Sequence, residues 1–551
     1  MMRFKQSNLA WYLRLLKGNS GVYALVLLAY SLTGVSGIVF AFIARNIIDA
    51  AVSADMLHIR IQLIFLGLLM VMTFGLTVFA NNQREKIRLK LVMKQQEHLA
   101  ETLASRKYTA VDALSSGEWN TLFFSDTQTI ADTLVSVPPS FLQMAFKILA
   151  SIIALSFFSV IYVIVLAAAG ILFVVLSSSL RRRVLAIHLE AKTLEAGNRT
   201  FSQEIITHLI PIKIFHGIQA IIHKLHTVQN PLYRINLKRN RISILASSGL
   251  GFISQMTYLI ALGWASILLA TSSISYGSLM AIVQLTAQLQ APFSSASGLL
   301  PQVFLMQASA QRIMDFEQLD EENPSAPLEN FSTVEAIHFE AVNFAYHREQ
   351  VLENFTAVIP IHQLTAITGA SGIGKSTIFK LMLGLYEPQS GIISIEYTDG
   401  SRTILGTGAR RFMSYVPQSY LLFAGTILEN ITFMNPDISL DQVIESAKLA
   451  CIHEFILQLP DQYSTRIDEQ LKGISSGQAQ RISIARMLLM NTPIILLDEA
   501  TSALDAQTEG QLLYNLKQLP DKTIVIVSHN PTIETWSDHT IHLERKHSDE
   551  H

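Results

Sequence analysis

The sequence predicts two domains of different classes, an all-α transmembrane domain with six helices followed by an α/β domain. Half of the 551 residues are hydrophobic and only 15% are charged, whereas roughly 25% are charged in an average soluble chain. The long apolar runs lie almost entirely before residue 305, and shorter apolar runs alternate with helix-like segments after residue 336. The first pattern is typical of membrane helices and the second of a largely parallel sheet.

The composition also excludes several other classes of protein. The formal net charge is −2, which gives no electrostatic support to nucleic-acid binding. A single cysteine, Cys451, can form neither an intrachain disulfide nor a cysteine metal cluster. The first twenty residues carry four basic side chains but no small-residue cleavage site after an apolar run, so no signal peptide is expected.

Six apolar segments are candidates for membrane spans, each near the roughly 20 residues that a crossing helix needs. The third and fourth form one apolar stretch, Phe146 to Leu180, which is too long for a single crossing and is predicted to fold back near Phe158–Ser159. Lys147, inside this stretch, is expected to extend its amine to the cytoplasmic interface. The predicted spans are 21–44, 62–80, 140–159, 161–180, 247–270 and 278–300.

Basic residues predict the orientation of the spans. The connectors between the second and third spans and between the fourth and fifth are rich in Lys and Arg, whereas residues 271–277 contain neither. Because cytoplasmic loops carry an excess of these residues, both connectors, both termini and the α/β domain are expected in the cytoplasm. The connectors are expected to be helices that continue out of the bilayer, with solvated loops as the alternative.

An acidic, proline-containing stretch at 318–336 is predicted to be a linker. The predicted domains are therefore a transmembrane domain at 1–317 and an α/β domain at 337–551. Within the latter, strands are expected at Leu364–Thr368, Ile494–Leu497 and Thr523–Ser528, and helices at Ser376–Leu385 and Gln511–Leu519.

A phosphate-binding loop follows the first of these strands. Its pattern is G-x-x-x-x-G-K-[ST] between a strand and a helix, and its glycines let backbone N–H groups surround nucleotide phosphates at the positive end of the helix dipole. Lys375 is expected to neutralise phosphate charge and Ser376 to ligate Mg²⁺. The loop residues are Gly369, Ala370, Ser371, Gly372, Ile373, Gly374, Lys375, Ser376 and Thr377.

Two carboxylates end a second apolar strand, Ile494-Ile-Leu-Leu-Asp498-Glu499. Because a buried strand would deliver them to the sheet edge beside the phosphate loop, Asp498 is expected to hold Mg²⁺ through its waters. Glu499 is expected to polarise the attacking water as general base. The α/β domain is therefore predicted to be a P-loop ATPase.

Further motifs stand in a characteristic order. Phe-Ala-Tyr346 precedes the phosphate-binding loop. Four motifs follow the loop: Val416-Pro417-Gln418, the signature segment Ile474-Ser475-Ser476-Gly477-Gln478, Ser502-Ala-Leu-Asp505 and Ser528-His529. With these motifs the sequence resembles the ATP-binding cassette (ABC) transporters, specifically exporter-type half-transporters with both domains fused in one chain. The resemblance covers nearly the whole length.

The resemblance implies that two cassettes dimerise head to tail and enclose ATP between the phosphate loop of one and the signature segment of the other. It implies that Tyr346 stacks on adenine, and that Gln418 senses the γ-phosphate and Mg²⁺. It further implies that His529 orients Glu499. The face of the nucleotide that the partner cassette covers is expected to contact five residues: Ser475, Ser476, Gly477 and Gln478 of the signature segment, and Asp505.

The motifs are complete in one chain, which favours a homodimer, with a heterodimer as the open alternative. Short cytoplasmic helices near 117–127 and 214–224 are expected to transmit cassette motion, and Thr465 to Glu469 to touch membrane-domain helices. Ser476 replaces the family's first signature glycine. This change either weakens nucleotide binding or is neutral, and the neutral reading is favoured.

The substrate is the least constrained part of the prediction. Polar residues within the spans are candidates to line a central cavity, although contacts between helices explain them equally well. An uncharged, amide-rich cavity would suit an amphipathic peptide, a lipid-like molecule or a hydrophobic drug, exported across a bacterial inner membrane by alternating access. The alternatives are import of a solute such as a metal chelate and a non-transporting ATP-binding regulator. The candidate cavity residues are Gln255, Tyr258, Gln284 and Gln288.

Overall fold

In a computed structural model of the protein, the chain forms two compact units, which are described separately below. The first comprises Met1–Thr102 with Ser116–Gln318, and the second comprises Leu103–Ser115 with Leu319–His551. The structure describes residues 6–164, 197–322, 333–346, 349–468, 473–530 and 532–544, with positions 166, 187, 190, 191, 193–195 and 331.

The first unit is helical wherever the structure describes regular elements in it. Its two longest helices, Met56–Ser105 and Ile218–Ala270, have 50 and 53 residues. Both greatly exceed the roughly 20 residues needed for a crossing, which confirms that the connectors begin as helical extensions. The helices are Gln6–Leu16, Ser20–Val52, Met56–Ser105, Ser116–Asn120, Thr127–Ser156, Leu209–Ile214, Ile218–Ala270 and Tyr276–Glu317, with a 3₁₀ turn at Lys17–Asn19 and a π-helical segment at Thr121–Asp126.

Four described helical segments are long and apolar enough to cross a membrane: Trp11–Val52, Met56–Ser105, Gly117–Ser156 and Gly251–Ala270. The sixth predicted span lies within Tyr276–Glu317, where glutamines lower the hydropathy. Most of the fourth, 161–180, lies outside the described residues, so the number six stays a prediction.

The predicted reversal near Phe158–Ser159 coincides with a break in the helical structure. The Thr127–Ser156 helix ends just before it, and helical structure resumes at 160. The backbone N–H groups of Phe158 and Ser159 both donate to the Leu155 carbonyl oxygen at 3.0 Å. The chain therefore leaves the third span where the sequence analysis placed the turn.

Small residues allow close packing of the membrane helices. A Cβ atom built on Gly34 would lie 2.6 Å from the carbonyl oxygen of Gln143, and one on Gly37 would lie 2.8 Å from the Gln288 amide nitrogen. The Gln143 amide also donates to the Thr33 hydroxyl at 3.1 Å. The first, third and sixth spans thus meet through glycine and amide contacts, as is common between membrane helices.

The described residues of the second unit form three sheets. Their strands are β1 Val334–Tyr346, β2 Glu349–Pro360, β3 Leu364–Gly369, β4 Ser390–Tyr397, β5 Arg402–Ile404, β6 Met413–Val416, β7 Gly425–Thr426, β8 Arg466–Ile467, β9 Ile494–Asp498, β10 Thr523–Val527 and β11 His539–Leu543. The five-stranded sheet is parallel with order β11-β3-β10-β9-β6, which confirms the predicted α/β class. A four-stranded antiparallel sheet, β2-β1-β4-β5, was not predicted, and β7 pairs with β8.

The described helices of this unit pack around the parallel sheet through buried aliphatic side chains, except Tyr108–Asp112, which has no buried residue. They are Tyr108–Asp112, Lys375–Met382, Ile427–Thr432, Leu440–Leu449, His453–Gln458, Ser476–Leu489, Ala506–Lys517 and Thr532–Trp536, with 3₁₀ turns at Thr407–Phe412 and Gln462–Ser464.

The parallel register aligns the carboxyl ends of three strands. Val527 at the end of β10 pairs with Ile367 of β3 on one side and with Asp498 of β9 on the other. Segments that leave these strands therefore emerge at one edge of the sheet, where ligand sites of open α/β sheets form.

The Leu103–Ser115 segment groups with the second unit and contains the short helix Tyr108–Asp112. The predicted transmitting helix near 117–127 coincides with the Ser116–Asn120 helix and the Thr121–Asp126 segment, which group with the first unit, and its role stays a prediction. Lys107 pairs with Glu387 at 3.3 Å. The sequence could not show this pairing, because it joins positions nearly three hundred residues apart.

Candidate active site

The phosphate loop connects β3 to the Lys375–Met382 helix. Gly372 and Gly374 have φ of +77° and +109°, which is the left-handed region that favours glycine. A Cβ atom on Gly374 would also lie 2.6 Å from Val351 Cγ1. The turn therefore requires glycine, and it leads directly into a helix N-terminus suited to anions.

Lys375 spans this loop from the first residue of the helix. Its Nζ donates to the carbonyl oxygens of Gly369 at 2.9 Å and Ala370 at 3.0 Å. The residue is only 5% exposed. Burial lowers the pKa of its ammonium group, whereas the carboxylates of Glu499 and Asp498 act in the opposite direction. The loop thus holds the Lys375 ammonium group between backbone carbonyls, and an anion such as a phosphate would be a stronger partner for it.

Ser376 and Asp498 meet as the sequence analysis expected. The Ser376 hydroxyl donates to Asp498 Oδ1 at 2.9 Å, and the Tyr415 hydroxyl donates to Oδ2 at 3.1 Å. Asp498 is 2% exposed, and burial raises the pKa of its carboxyl group against the effect of these two hydrogen bonds. Hydroxyl and carboxylate oxygens are ligands that Mg²⁺ prefers, so this donor pair fits that ion.

Gln418, the third predicted metal ligand, contacts the carboxylate of Glu499 and not that of Asp498. Its Nε2 donates to Glu499 Oε2 at 2.6 Å, and His529 Nε2 lies 2.6 Å from Glu499 Oε1. Three segments that leave β6, β9 and β10 therefore converge on one carboxylate. We call Glu499, Gln418 and His529 the carboxylate cluster.

The backbone of Glu499 is unusual. Its φ is +50°, and its N–H donates to the Val527 carbonyl oxygen at 2.9 Å. A non-glycine residue in this region carries strain that the surroundings must offset, and such residues concentrate at functional sites. The Glu499 side chain is 17% exposed, so its carboxylate is accessible to a water molecule at the sheet edge.

Tyr346 lies beside the phosphate-loop helix. Its hydroxyl is 3.3 Å from Thr377 Oγ1, and its ring makes an edge-to-face contact with Tyr386 at 5.2 Å between centroids. Lys380 Nζ lies 5.3 Å from the centroid of the Tyr346 ring. The Tyr386 hydroxyl donates to Asp112 at 2.8 Å, which connects this aromatic group to the Leu103–Ser115 segment.

Sequence reasoning missed Tyr386 and Tyr415. Tyr415 stands immediately before the Val416-Pro417-Gln418 motif, and its only signal was its position on a strand adjacent to β9. Tyr386 has no motif of its own, and its contacts depend on the tertiary fold.

The signature segment begins the Ser476–Leu489 helix. Ser475 is the N-cap, whose hydroxyl accepts from the Gln478 N–H, and the Gln478 side chain accepts from the Ser475 N–H. This reciprocal capping box orders the helix start. Asp505 similarly caps the Ala506–Lys517 helix. Among the described residues, no hydrogen bond joins the signature segment to the phosphate loop of the same chain.

Substitutions at two adjacent signature positions are expected to differ in their effect on ATP hydrolysis. Gly477 is buried, and a Cβ there would lie 2.6 Å from the Ala503 carbonyl oxygen, whereas Ser476 is exposed at the first helical position. Gly477→Ala should therefore lower ATP hydrolysis by about tenfold or more, because a loss of ~1.4 kcal/mol or more at the helix start corresponds to that factor. Ser476→Gly should change it less than about twofold. Steady-state hydrolysis by both variants and wild type tests this pair, and a large effect at Ser476 alone would contradict it.

Two family models match the chain. The model described as ABC transporter transmembrane region matches residues 23–293, and the model described as ABC transporter matches residues 352–502. These matches cover the long apolar helices and the α/β unit from the phosphate loop through the carboxylate cluster's Glu499.

Two curated relatives are also described as ABC transporter proteins. A probable ABC transporter ATP-binding/permease protein of Haemophilus influenzae is 36% identical over 282 residues, or 50% of each chain. An uncharacterized ABC transporter ATP-binding protein of Bacillus subtilis is 29% identical over 88% of this chain and 85% of its own. The match thus spans about half of the first relative and most of the second.

A solved structure is similar over nearly the whole chain. It is described as a bacterial Atm1-family ABC exporter with ATP bound, and it superposes with a TM-score of 0.80 over 96% of this chain and 94% of its own. At 22% identity this likeness establishes a shared fold.

Proposed function

Because this chain belongs to the ABC transporter family, with a transmembrane domain and a nucleotide-binding domain fused in one polypeptide, we propose that it is an ATP-driven exporter. ATP hydrolysis coupled to transport is the general activity of this family. The proposed cargo is an amphipathic small molecule or peptide, carried by alternating access across a bacterial inner membrane.

The observation that carries the proposal is the carboxylate cluster. Glu499 is held through both carboxylate oxygens, by Gln418 and by His529, one residue after the buried Asp498. A carboxylate fixed in this way at the end of the phosphate-loop sheet is suited to activate a water for attack on a terminal phosphate. A protein that only binds ATP has no need of such a base.

The phosphate loop supplies binding in this proposal. Backbone N–H groups of Gly372 through Ser376 would surround the phosphates, and Lys375 would exchange its two carbonyl partners for phosphate oxygens. Tyr346 would stack on the adenine ring. Mg²⁺, held by Ser376 and through water by Asp498, would neutralise phosphate charge.

The carboxylate cluster supplies the proton chemistry. Glu499 takes a proton from the attacking water, and His529 and Gln418 keep its two oxygens oriented. The strained backbone of Glu499 and the bond from its N–H to Val527 hold the carboxylate at one position. Product release then returns Lys375 to the Gly369 and Ala370 carbonyls.

A second copy of the chain completes each site in the proposal. Ser475 and Gly477 at the signature helix would bind the γ-phosphate of ATP held by the partner cassette, next to Gln478 and Asp505. Both catalytic and signature residues are present in one sequence, which favours a homodimer with two competent sites. Cassettes, termini and connectors would lie in the cytoplasm.

The missed residue Tyr415 gives a prediction for pH dependence. Mg²⁺ needs Asp498 ionised, and burial raises the pKa of that carboxyl group while the Tyr415 hydroxyl bond lowers it. Mg²⁺ activation should therefore weaken as pH falls through the raised pKa. Tyr415→Phe should raise the pKa further and increase the half-saturating Mg²⁺ concentration about threefold to tenfold, chiefly at lower pH, as expected for the net contribution of one typical hydrogen bond.

The measurement for this prediction is Mg²⁺-dependent ATP hydrolysis at pH 6 and pH 8 for wild type and Tyr415→Phe. Because both proteins meet the same change in Mg²⁺–ATP ionisation, their ratio isolates the protein's contribution. A ratio that does not change with pH would contradict the assignment of the tyrosine to the metal carboxylate.

The export function is tested by hydrolysis in lipid nanodiscs across amphipathic peptides, lipids, metal chelates and cationic drugs, with Glu499→Gln as the blank. Saturable stimulation by one class supports coupled transport and indicates the cargo. Strong stimulation by a metal chelate alone would instead favour the importer alternative, and binding of ATP with no hydrolysis under any condition would favour a regulator.

A further inference from the structure

One charged residue lies within the six predicted spans, and that residue is Lys147. The length of its helix argues against the expectation that its amine reaches the cytoplasmic interface. The Thr127–Ser156 helix ends at the turn on the outer side, and at 1.5 Å per residue Lys147 lies about 14 Å below Ser156. Since the hydrocarbon core is about 30 Å thick, this position is near the middle of the bilayer, beyond the reach of a lysine stem to either surface.

The helix directs Lys147 toward protein rather than lipid. Residues four apart share one face of a helix, and Lys147 shares its face with Gln143, Ser151 and Leu155. Gln143 bonds Thr33 of the first span, and Ser151 and Leu155 are buried. The opposite face presents Phe141, Leu149 and Ile153, which are 66%, 56% and 50% exposed.

No carboxylate is available at this depth to neutralise the amine. None of the six predicted spans contains Asp or Glu. In the described membrane helices the acidic residues lie toward the ends, such as Asp49 at the outer side and Asp126 at the inner side, where Arg312 already pairs with Asp126 at 2.6 Å. A lone interior cation in a membrane is costly and marks a functional site by default.

Polar groups that can share a ligand lie at the same depth. The first and third spans run in the same direction, and the Thr33–Gln143 contact places Gly37 one turn further on, at the level of Lys147. The Gln288 amide lies against Gly37. One turn beyond Lys147, the Ser151 hydroxyl is fully buried and has no hydrogen-bond partner among the residues that the structure describes. An ammonium group and an amide therefore lie at one level of the helix bundle, and a buried hydroxyl lies one turn beyond them.

We propose that Lys147 is the counter-charge for an anionic headgroup of the transported molecule, so that the cargo is an amphipathic anion bearing a carboxylate or a phosphate. The proposal rests on the export function above and specifies its substrate class. A compact ammonium binds either headgroup as a point charge, and the surrounding apolar helices accept the hydrocarbon portion. This replaces the expectation of an uncharged cavity.

The test compares four probes of one chain length: oleate, oleoyl lysophosphatidate, oleic acid methyl ester and oleylamine. ATP hydrolysis and, without ATP, calorimetric binding are measured in phosphatidylcholine nanodiscs, which supply no anionic lipid. At least one anion should act at about tenfold lower concentration than the ester and the amine, as expected for one charge-assisted interaction. Oleate alone would identify a carboxylate, lysophosphatidate alone a phosphate, and both together anionic charge in general.

Variants assign the preference to the side chain. Lys147→Met should abolish it, raising the half-maximal anion concentration about tenfold, whereas Lys147→Arg should stay within about threefold. Lys94→Met, which removes an exposed lysine from the Met56–Ser105 extension, should change nothing. Because no ion pair is lost, the melting temperature of Lys147→Met should not fall.

Two results would overturn the inference: equal action of ester and anions on wild type, or a preference that survives in Lys147→Met. A lower melting temperature of Lys147→Met, with basal activity lost, would show a structural lysine and also overturn it. Failure of the export proposal is recognised separately, because calorimetric binding of the anion needs no ATP turnover.

Discussion

Glu499→Gln should reduce ATP hydrolysis by at least about a hundredfold, since a positioned general base contributes roughly 10² to 10⁴ in rate. The amide has nearly the shape of the carboxylate, so Gln418 and His529 can still contact it, but it cannot accept the proton of the attacking water. ATP binding should therefore persist, and the variant should accumulate as an ATP-bound cassette dimer.

The measurement pairs phosphate release with cross-linking or mass photometry in the presence of ATP. Glu445→Gln makes the same chemical change at an exposed position on the Leu440–Leu449 helix and should leave both readings unchanged. Hydrolysis by Glu499→Gln at a rate near that of wild type would show that another group activates the water.

Lys375→Met should weaken ATP binding by about a hundredfold, as expected from losing roughly 3 kcal/mol of charge-assisted hydrogen bonding to phosphate. The lysine is buried in the loop, where its Nζ donates to the Gly369 and Ala370 carbonyls and lies 3.4 Å from His529 Nε2. Methionine fills similar space without the charge, so the loop should retain its shape while losing its phosphate partner.

Equilibrium binding of a fluorescent ATP analogue checks this expectation, with Lys448→Met as the control because that lysine is exposed on the Leu440–Leu449 helix. The two catalytic variants should differ in kind: Lys375→Met fails to bind, whereas Glu499→Gln binds and does not hydrolyse. Equal nucleotide affinity in wild type and Lys375→Met would remove the lysine from the phosphate site.

The parts of the site that local sequence determines were predictable. A glycine loop between a strand and a helix has one common geometry, and four apolar residues before Asp498 and Glu499 indicate a buried strand that ends at the sheet edge. Parallel register then brings Ser376 to Asp498 and His529 to Glu499, as the structure shows.

Features that depend on distant contacts were not predictable. Long β1 and β2 form an antiparallel sheet whose alternating burial is interrupted by register shifts, which hides the strand period. The pairing of Tyr386 with Asp112 links segments far apart in sequence. Gln418 was assigned to metal by resemblance, yet its side chain bonds Glu499 in the described structure.

The position of a residue along a membrane helix was also difficult to predict from the sequence. Lys147 stands near the start of an apolar run, so the sequence analysis placed it at the cytoplasmic end. The helix extends from Thr127 to Ser156, so the residue is not at the start of its helix, and the proposal above rests on that position. An apolar run therefore gives the existence of a span more reliably than the position of a residue within it.

The central claim, ATP-driven export, is tested most directly by ATP-dependent accumulation of a labelled cargo identified by ATPase stimulation. Membrane vesicles of known orientation are prepared with wild type and with Glu499→Gln. The proposed function predicts uptake into inside-out vesicles that requires Mg²⁺ and ATP and is absent in the variant. Accumulation only in right-side-out vesicles loaded with ATP, or equal uptake by wild type and Glu499→Gln, would contradict it.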